Sequence, residues 1–157
     1  MKIQMLSEEN CKAIVHELNT TKDSQWIHQK MVHPAEKQTA VVMSHYKCIS
    51  STLPEGFWAW LLNIGPVYSE MKVRNVVIVR YFAGDYIPPH VDFGNFAHLI
   101  SVPLQTGPDG ITVNNVYYND EAGMGIYVNR NKDVHSVAPV KELRYSLLFL
   151  YGEHAVY

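Results

Sequence analysis

Between positions 73 and 151 the chain is cut into short runs rich in Val, Ile, Leu and aromatic residues, with turn-forming residues returning about every 8 to 12 positions. The runs cover residues 75–82, 86–93, 97–104, 111–118, 126–129, 134–137 and 143–151. Gly84-Asp85, Gly107-Pro108-Asp109-Gly110, Asn119-Asp120 and the stretch from Gly123 to Gly125 separate them. Runs this short need several paired partners to be stable. The pattern predicts a mainly β protein, an antiparallel sandwich or barrel. A double-sheet jelly roll of cupin-like form fits, because it encloses a small-molecule cavity between its sheets. An open meander has the same periodicity, which does not specify strand order.

The first 72 residues read as support for that core. Ser7 is placed to cap a helix whose first turn carries Glu8 and Glu9. Cys11, Ile14, Val15 and Leu18 fall at helical spacing on it. Residues 25–32 and 39–47 read as strands. A second helix is expected from Pro54, carrying Phe57, Trp58, Trp60, Leu61 and Leu62 towards Gly65-Pro66, which end it. So many large apolar groups on a short helix imply burial, so the N-terminal helices are expected to pack on one sheet. The domain reading is a single unit over 1–157, with a support region at 1–72 and a core at 73–152. At 157 residues and 47% apolar content, a sizeable core is available.

Composition excludes several functions. No apolar run approaches the roughly 18 residues of a membrane span, and the N-terminus lacks the apolar stretch of a secretory signal. Cys11 and Cys48 read as reduced thiols. The expected location is cytoplasmic, with no membrane partner. Thirteen Lys and Arg against fifteen Asp and Glu leave a net charge of −2, which argues against a broad nucleic-acid surface.

The chemistry concentrates in His90-Val91-Asp92, His135 and Arg144-Tyr145-Ser146. On an extended strand, His90 and Asp92 would face the same way. Pro88-Pro89 stiffens their approach. Two imidazoles and one carboxylate form a set that suits ferrous iron and leaves coordination positions open. A lone H-x-D is weak, because chance produces it often, and each of these His has an ordinary surface or loop reading. The conjunction with a distal His and a following Arg favours the metal reading. Arg144 and Ser146 share one face of an apolar strand. A guanidinium there is costly unless paired. Its partner is either the carboxylate of a co-substrate or an Asp or Glu of the chain itself.

Together these residues resemble the motif of the Fe(II)- and 2-oxoglutarate-dependent dioxygenase superfamily, over about residues 73–152. The resemblance implies a double-stranded β-helix fold, with iron on His90, Asp92 and His135. It implies 2-oxoglutarate on that iron, with its distal carboxylate on Arg144 and Ser146. It also implies O2 as co-substrate, with ascorbate a candidate cofactor, and release of succinate and CO2 as a second substrate is oxidised. His135-Ser136-Val137-Ala138-Pro139, followed by Arg144-Tyr145, resembles the prolyl-hydroxylase branch, as does Tyr81 within Arg80-Tyr81-Phe82-Ala83-Gly84. In that branch the Tyr lies in the site. Ile87-Pro88-Pro89-His90 and Val102-Pro103-Leu104-Gln105-Thr106 resemble the aspartyl/asparaginyl β-hydroxylase-like branch. Ser101 stands where that branch often has a His against 2-oxoglutarate, and the nearby His98 would face the opposite way. The implied substrate is a side chain of a peptide or protein (Asp, Asn or Pro). Alternatives are a free amino acid or small metabolite, a metal cupin that does not use 2-oxoglutarate, and a non-catalytic binding domain.

Overall fold

In a computed structural model, the described residues are 1–28, 46–48, 53–92 and 96–152. Short strands dominate: β1 (Lys2–Gln4), β2 (Ile27–His28), β3 (Tyr46–Cys48), β4 (Val73–Tyr81), β5 (Ile87–His90), β6 (His98–Pro103), β7 (Gly110–Val113), β8 (Val116–Asn119), β9 (Met124–Asn129), β10 (His135–Val137) and β11 (Arg144–Tyr151). Among the described residues of the first 72 lie the α-helices α1 (Glu8–Thr20) and α2 (Glu55–Ile64). Among the described residues the strands form a seven-stranded sheet ordered β1-β9-β6-β11-β4-β3-β2 and a four-stranded sheet ordered β5-β10-β7-β8. The pairings are antiparallel. From β4 onward the chain passes back and forth between the two sheets, as a jelly roll requires and an open meander does not.

Strand alternation gives the large sheet two different faces. On β11, Tyr145, Leu147, Phe149 and Tyr151 join Val76, Ile78, Ile100 and Val102 in a core shared with Ile14, Leu18 and Leu61 of the helices. The helices therefore cover the outer face, as expected. Ser7 Oγ accepts the Asn10 N–H at 3.1 Å, and Cys11, Ile14 and Leu18 are buried at i, i+3 and i+7. The opposite face, with Val79, Leu99, Ile126, Val128 and Leu150, meets Ile111, Val113 and Val137 of the small sheet. Arg144 and Ser146 alternate with the outer-face residues and so point into this inter-sheet space.

Several boundaries differ from the sequence pattern. The run 111–118 is a hairpin of β7 and β8, not one strand. Asn114 and Asn115 take φ of 48° and 67°, the positive values of a two-residue turn that Asn tolerates. The run 86–93 is hydrogen-bonded as a strand only to His90, so Asp92 lies beyond its end. In the run 25–32 a 3-10 turn (Asp23–Gln25) precedes β2. Of the run 39–47 only the end is seen, as the start of β3, and its other residues lie outside the described ones. β1 was not expected. It pairs with β9 and is held by Gly123, whose carbonyl accepts the Met5 and Leu6 N–H groups at 2.9 and 3.2 Å. Gly123 has φ +80°, and a Cβ there would press on the Leu6 carbonyl.

Among the described residues no helix is long and apolar enough to cross a membrane. Cys11 is buried and free, and burial pushes its thiol pKa up. Phe149 is fully buried at the centre of the helix-side core. Phe149→Ala should therefore destabilise the fold by about 3–5 kcal/mol, seen as a lower midpoint in urea unfolding.

Candidate metal centre and inter-sheet pocket

His90 closes β5 and His135 opens β10, and antiparallel pairing sets the two residues directly opposite one another. Cross-strand partners share a face, so both imidazoles project to the same side. Their ring centroids are 4.3 Å apart. Asp92 is brought back against them because its N–H donates to the Arg130 carbonyl at 2.6 Å. Its carboxylate then sits 3.2 Å from His90 Nε2 and 3.1 Å from His135 Nε2. One ligand atom from each of the three lies within 4.8 Å of the others. Asp92 lies two residues past His90, beyond the end of β5, and its carboxylate converges with the two imidazoles.

Hydrogen bonds determine which imidazole nitrogens face inward. His90 Nδ1 lies 2.8 Å from the Pro88 carbonyl, and His135 Nδ1 lies 2.9 Å from the Asp133 carbonyl. A carbonyl only accepts, so each Nδ1 carries its proton. In neutral rings both Nε2 lone pairs then converge on the Asp92 carboxylate. Three acceptors this close repel unless a cation sits between them or an imidazole is protonated. The donor set fits a divalent cation: two neutral imidazoles, one carboxylate, and second-sphere carbonyls that orient the rings. Burial works against the Asp92 charge, but His135, His90 and Arg130 outweigh it and hold the carboxyl well below the usual range.

The surroundings of His135 are built by residues that the sequence pattern did not single out. Asp133 accepts the Asn129 N–H at 2.8 Å and the Asn114 side-chain amide at 3.0 Å. Asn114 in turn accepts the Val134 N–H at 3.0 Å and donates its own N–H to the Val134 carbonyl at 2.7 Å. The β7–β8 hairpin tip is thereby fastened to the segment that carries His135. Arg130 was also unforeseen. Its Nε is 3.4 Å from Asp92 Oδ2.

The other expected residues cluster elsewhere in the inter-sheet space. β5 runs from Ile87 to His90, roughly 10 Å, and β4 hands over to it near Tyr81. The register partner of Tyr81 is Arg144 on the neighbouring strand β11. Tyr81 is buried, with the Arg144 guanidinium 4.9 Å from its ring centroid. Burial raises the Tyr81 pKa, against the pull of Arg144. Ser101 and Ser146 are buried and hydrogen-bond each other at 2.9 Å. Ser101 is therefore next to Ser146. His98 instead meets Tyr127 at 2.7 Å on the other face, as expected.

Arg144 has an internal partner. Its Nε donates to Asp120 Oδ2 at 2.7 Å and its Nη2 to Asp120 Oδ1 at 3.1 Å, with both side chains 5% exposed. Of the two partners open at the sequence level, the chain supplies the carboxylate itself. Asp120 had been read only as part of a turn. Burial opposes the charge on Arg144, but Asp120 and Tyr81 keep its pKa above the ordinary value. Burial also pushes the Asp120 carboxyl up, against the pull of Arg144. The bond to Asp120 uses one side edge of the guanidinium, and Tyr81 is a further partner of the same group. A cleft of about 310 Å³ reaches this pair, lined by Asp109, Asp120, Glu142 and Arg144 among others.

No protein-family model and no curated protein sequence matches the chain. Solved structures do. A prolyl-4-hydroxylase from Pseudomonas putida superposes with a TM-score of 0.69 at 12% identity, covering 99% of this chain and 92% of that one. A viral collagen prolyl hydroxylase from Paramecium bursaria Chlorella virus-1, in a 2-oxoglutarate complex, gives 0.56 at 15% identity over 99% and 96%. An oxidoreductase of the 2OG-Fe(II) oxygenase family from Burkholderia pseudomallei gives 0.52 at 12% identity over 96% and 93%. The chain therefore has the double-stranded β-helix fold of these oxygenases.

Mn(II) or Co(II) at about a thousandfold excess over its Kd should stabilise the protein by about 4 kcal/mol, visible as a rise in Tm. His135→Ala should lose that rise. Asn114→Ala should keep the far-UV spectrum and weaken metal binding about 10- to 100-fold in a chelator competition.

Proposed function

We propose that the chain is an Fe(II)- and 2-oxoglutarate-dependent dioxygenase. It hydroxylates a C–H bond of an amino-acid side chain, with release of succinate and CO2. The observation that carries this reading is the convergence of His90, Asp92 and His135, with one ligand atom of each within 4.8 Å of the others. The fold shared with prolyl hydroxylases favours a prolyl residue of a peptide or protein as substrate over Asp or Asn.

In this reading His90, Asp92 and His135 hold the metal and leave its other positions to 2-oxoglutarate, O2 and substrate. Bound iron supplies the oxygen chemistry. The Pro88 and Asp133 carbonyls keep both Nε2 lone pairs directed inward. The distal carboxylate of 2-oxoglutarate meets Arg144, with Tyr81 and the Ser101–Ser146 pair as the remaining polar groups of the pocket. Apolar side chains such as Val79, Leu99 and Val113 exclude water around it.

The test is succinate production from 2-oxoglutarate with Fe(II) and a proline-containing peptide. His90→Ala, Asp92→Ala and His135→Ala should each abolish turnover, and wild-type turnover in all three would refute the assignment. Arg144→Ala should weaken 2-oxoglutarate binding by about 2–5 kcal/mol. It also leaves Asp120 buried without its cation, at a cost of about 3–5 kcal/mol in stability. The binding assay therefore belongs below the melting temperature of that variant.

A further inference from the structure

Asp120 is a buried charged group that the proposed reaction does not use. Its two oxygens occupy the Nε and Nη2 donors of Arg144 at 2.7 and 3.1 Å. The Asp120 N–H is in turn held by the Asp109 carbonyl at 2.8 Å, so this carboxylate sits on an anchored backbone. Asp109 is itself fixed, since both its carboxylate oxygens accept the Lys141 N–H, at 3.0 and 3.1 Å. Two consequences follow. The guanidinium is locked in one orientation, with Tyr81 against it. Its positive charge is also already balanced at the place where a second carboxylate would have to bind.

We infer that Asp120 is a positioning residue that sets co-substrate selectivity: it fixes the orientation of the Arg144 guanidinium and lowers its preference for a carboxylate. This rests on the reading of the pocket as a 2-oxoglutarate site. An unpaired buried Arg would discriminate strongly between a keto acid with a distal carboxylate and one without it, because charge-assisted bonds are about twice as strong as neutral ones. Next to Asp120 that discrimination shrinks, because the incoming carboxylate is attracted by Arg144 and repelled by Asp120 in a poorly screened interior.

The test compares binding of 2-oxoglutarate and pyruvate, which has no distal carboxylate, to the Mn(II)-loaded protein by anaerobic calorimetry. Asp120→Asn preserves the shape and one acceptor for Arg144 while removing the charge. It should tighten 2-oxoglutarate at least about tenfold and leave pyruvate unchanged. Asp120→Ser, smaller but still an acceptor, provides the same comparison should the first variant not fold. Unchanged or weaker 2-oxoglutarate binding in the variants, or an equal gain for pyruvate, overturns the inference and leaves the co-substrate reading standing. If the wild-type protein and both variants bind 2-oxoglutarate no better than pyruvate, the co-substrate reading itself is overturned and the inference falls with it.

Discussion

The register that sets His135 opposite His90 is the constraint on which the site depends. The two residues are 45 positions apart in the chain, and only the β5–β10 pairing brings their rings within 4.3 Å. A slip of one residue would turn one of the imidazoles to the other face of the small sheet. Val137 and Ile87 mark the same face with apolar side chains that belong in the core, so a slipped register would also expose them. The hydrophobic pattern that holds the sandwich together therefore also holds the metal ligands in place. Between the His135↔His90 and Val137↔Ile87 pairs the register shifts, three residues of β5 spanning two of β10, so the irregularity is taken up on the β5 side and the ladder continues.

A sandwich that buries Arg144, Asp120, Ser101, Ser146 and the Tyr81 hydroxyl between its sheets gives up apolar contact for polar groups. Such an ion pair contributes little net stability, because desolvation offsets most of its attraction. Each group has a partner, so the pocket is satisfied without water: Asp120 for Arg144, Ser146 for Ser101, Arg144 for Tyr81. Among the described residues the outer face around Leu147 and Phe149 is apolar, with Arg80 its buried charge beside Tyr145. Specificity between the sheets and stability under the helices thus reside on opposite faces of β11.

What the sequence made legible follows from this division. Alternation along residues 143–151 placed Arg144 and Ser146 on one face, and the helical spacing of Cys11, Ile14 and Leu18 identified the buried stripe of α1, because both depend on local periodicity. The candidate metal triad was legible from residue type, although β5 ends at His90 and Asp92 lies beyond it. Asp120 was illegible because its role depends on a fold-level meeting with a residue 24 positions away, and as one half of Asn119-Asp120 it carries the signature of a turn. Asn114 and Arg130 were hidden for the same reason. The signal that Asn114-Asn115 splits the run 111–118 was present, since two adjacent Asn residues tolerate positive φ where Val and Tyr do not.

Charge accounting compares the two polar clusters. Asp92 faces Arg130 in one and Asp120 pairs with Arg144 in the other, where Asp109 and Glu142 add further negative charge to the cleft. A divalent cation on the triad adds two positive charges that neither pair offsets. A keto diacid brings two negative ones. Under the proposed reading, Arg144 then decides how the far end of the molecule is seated, while the metal decides whether it is captured.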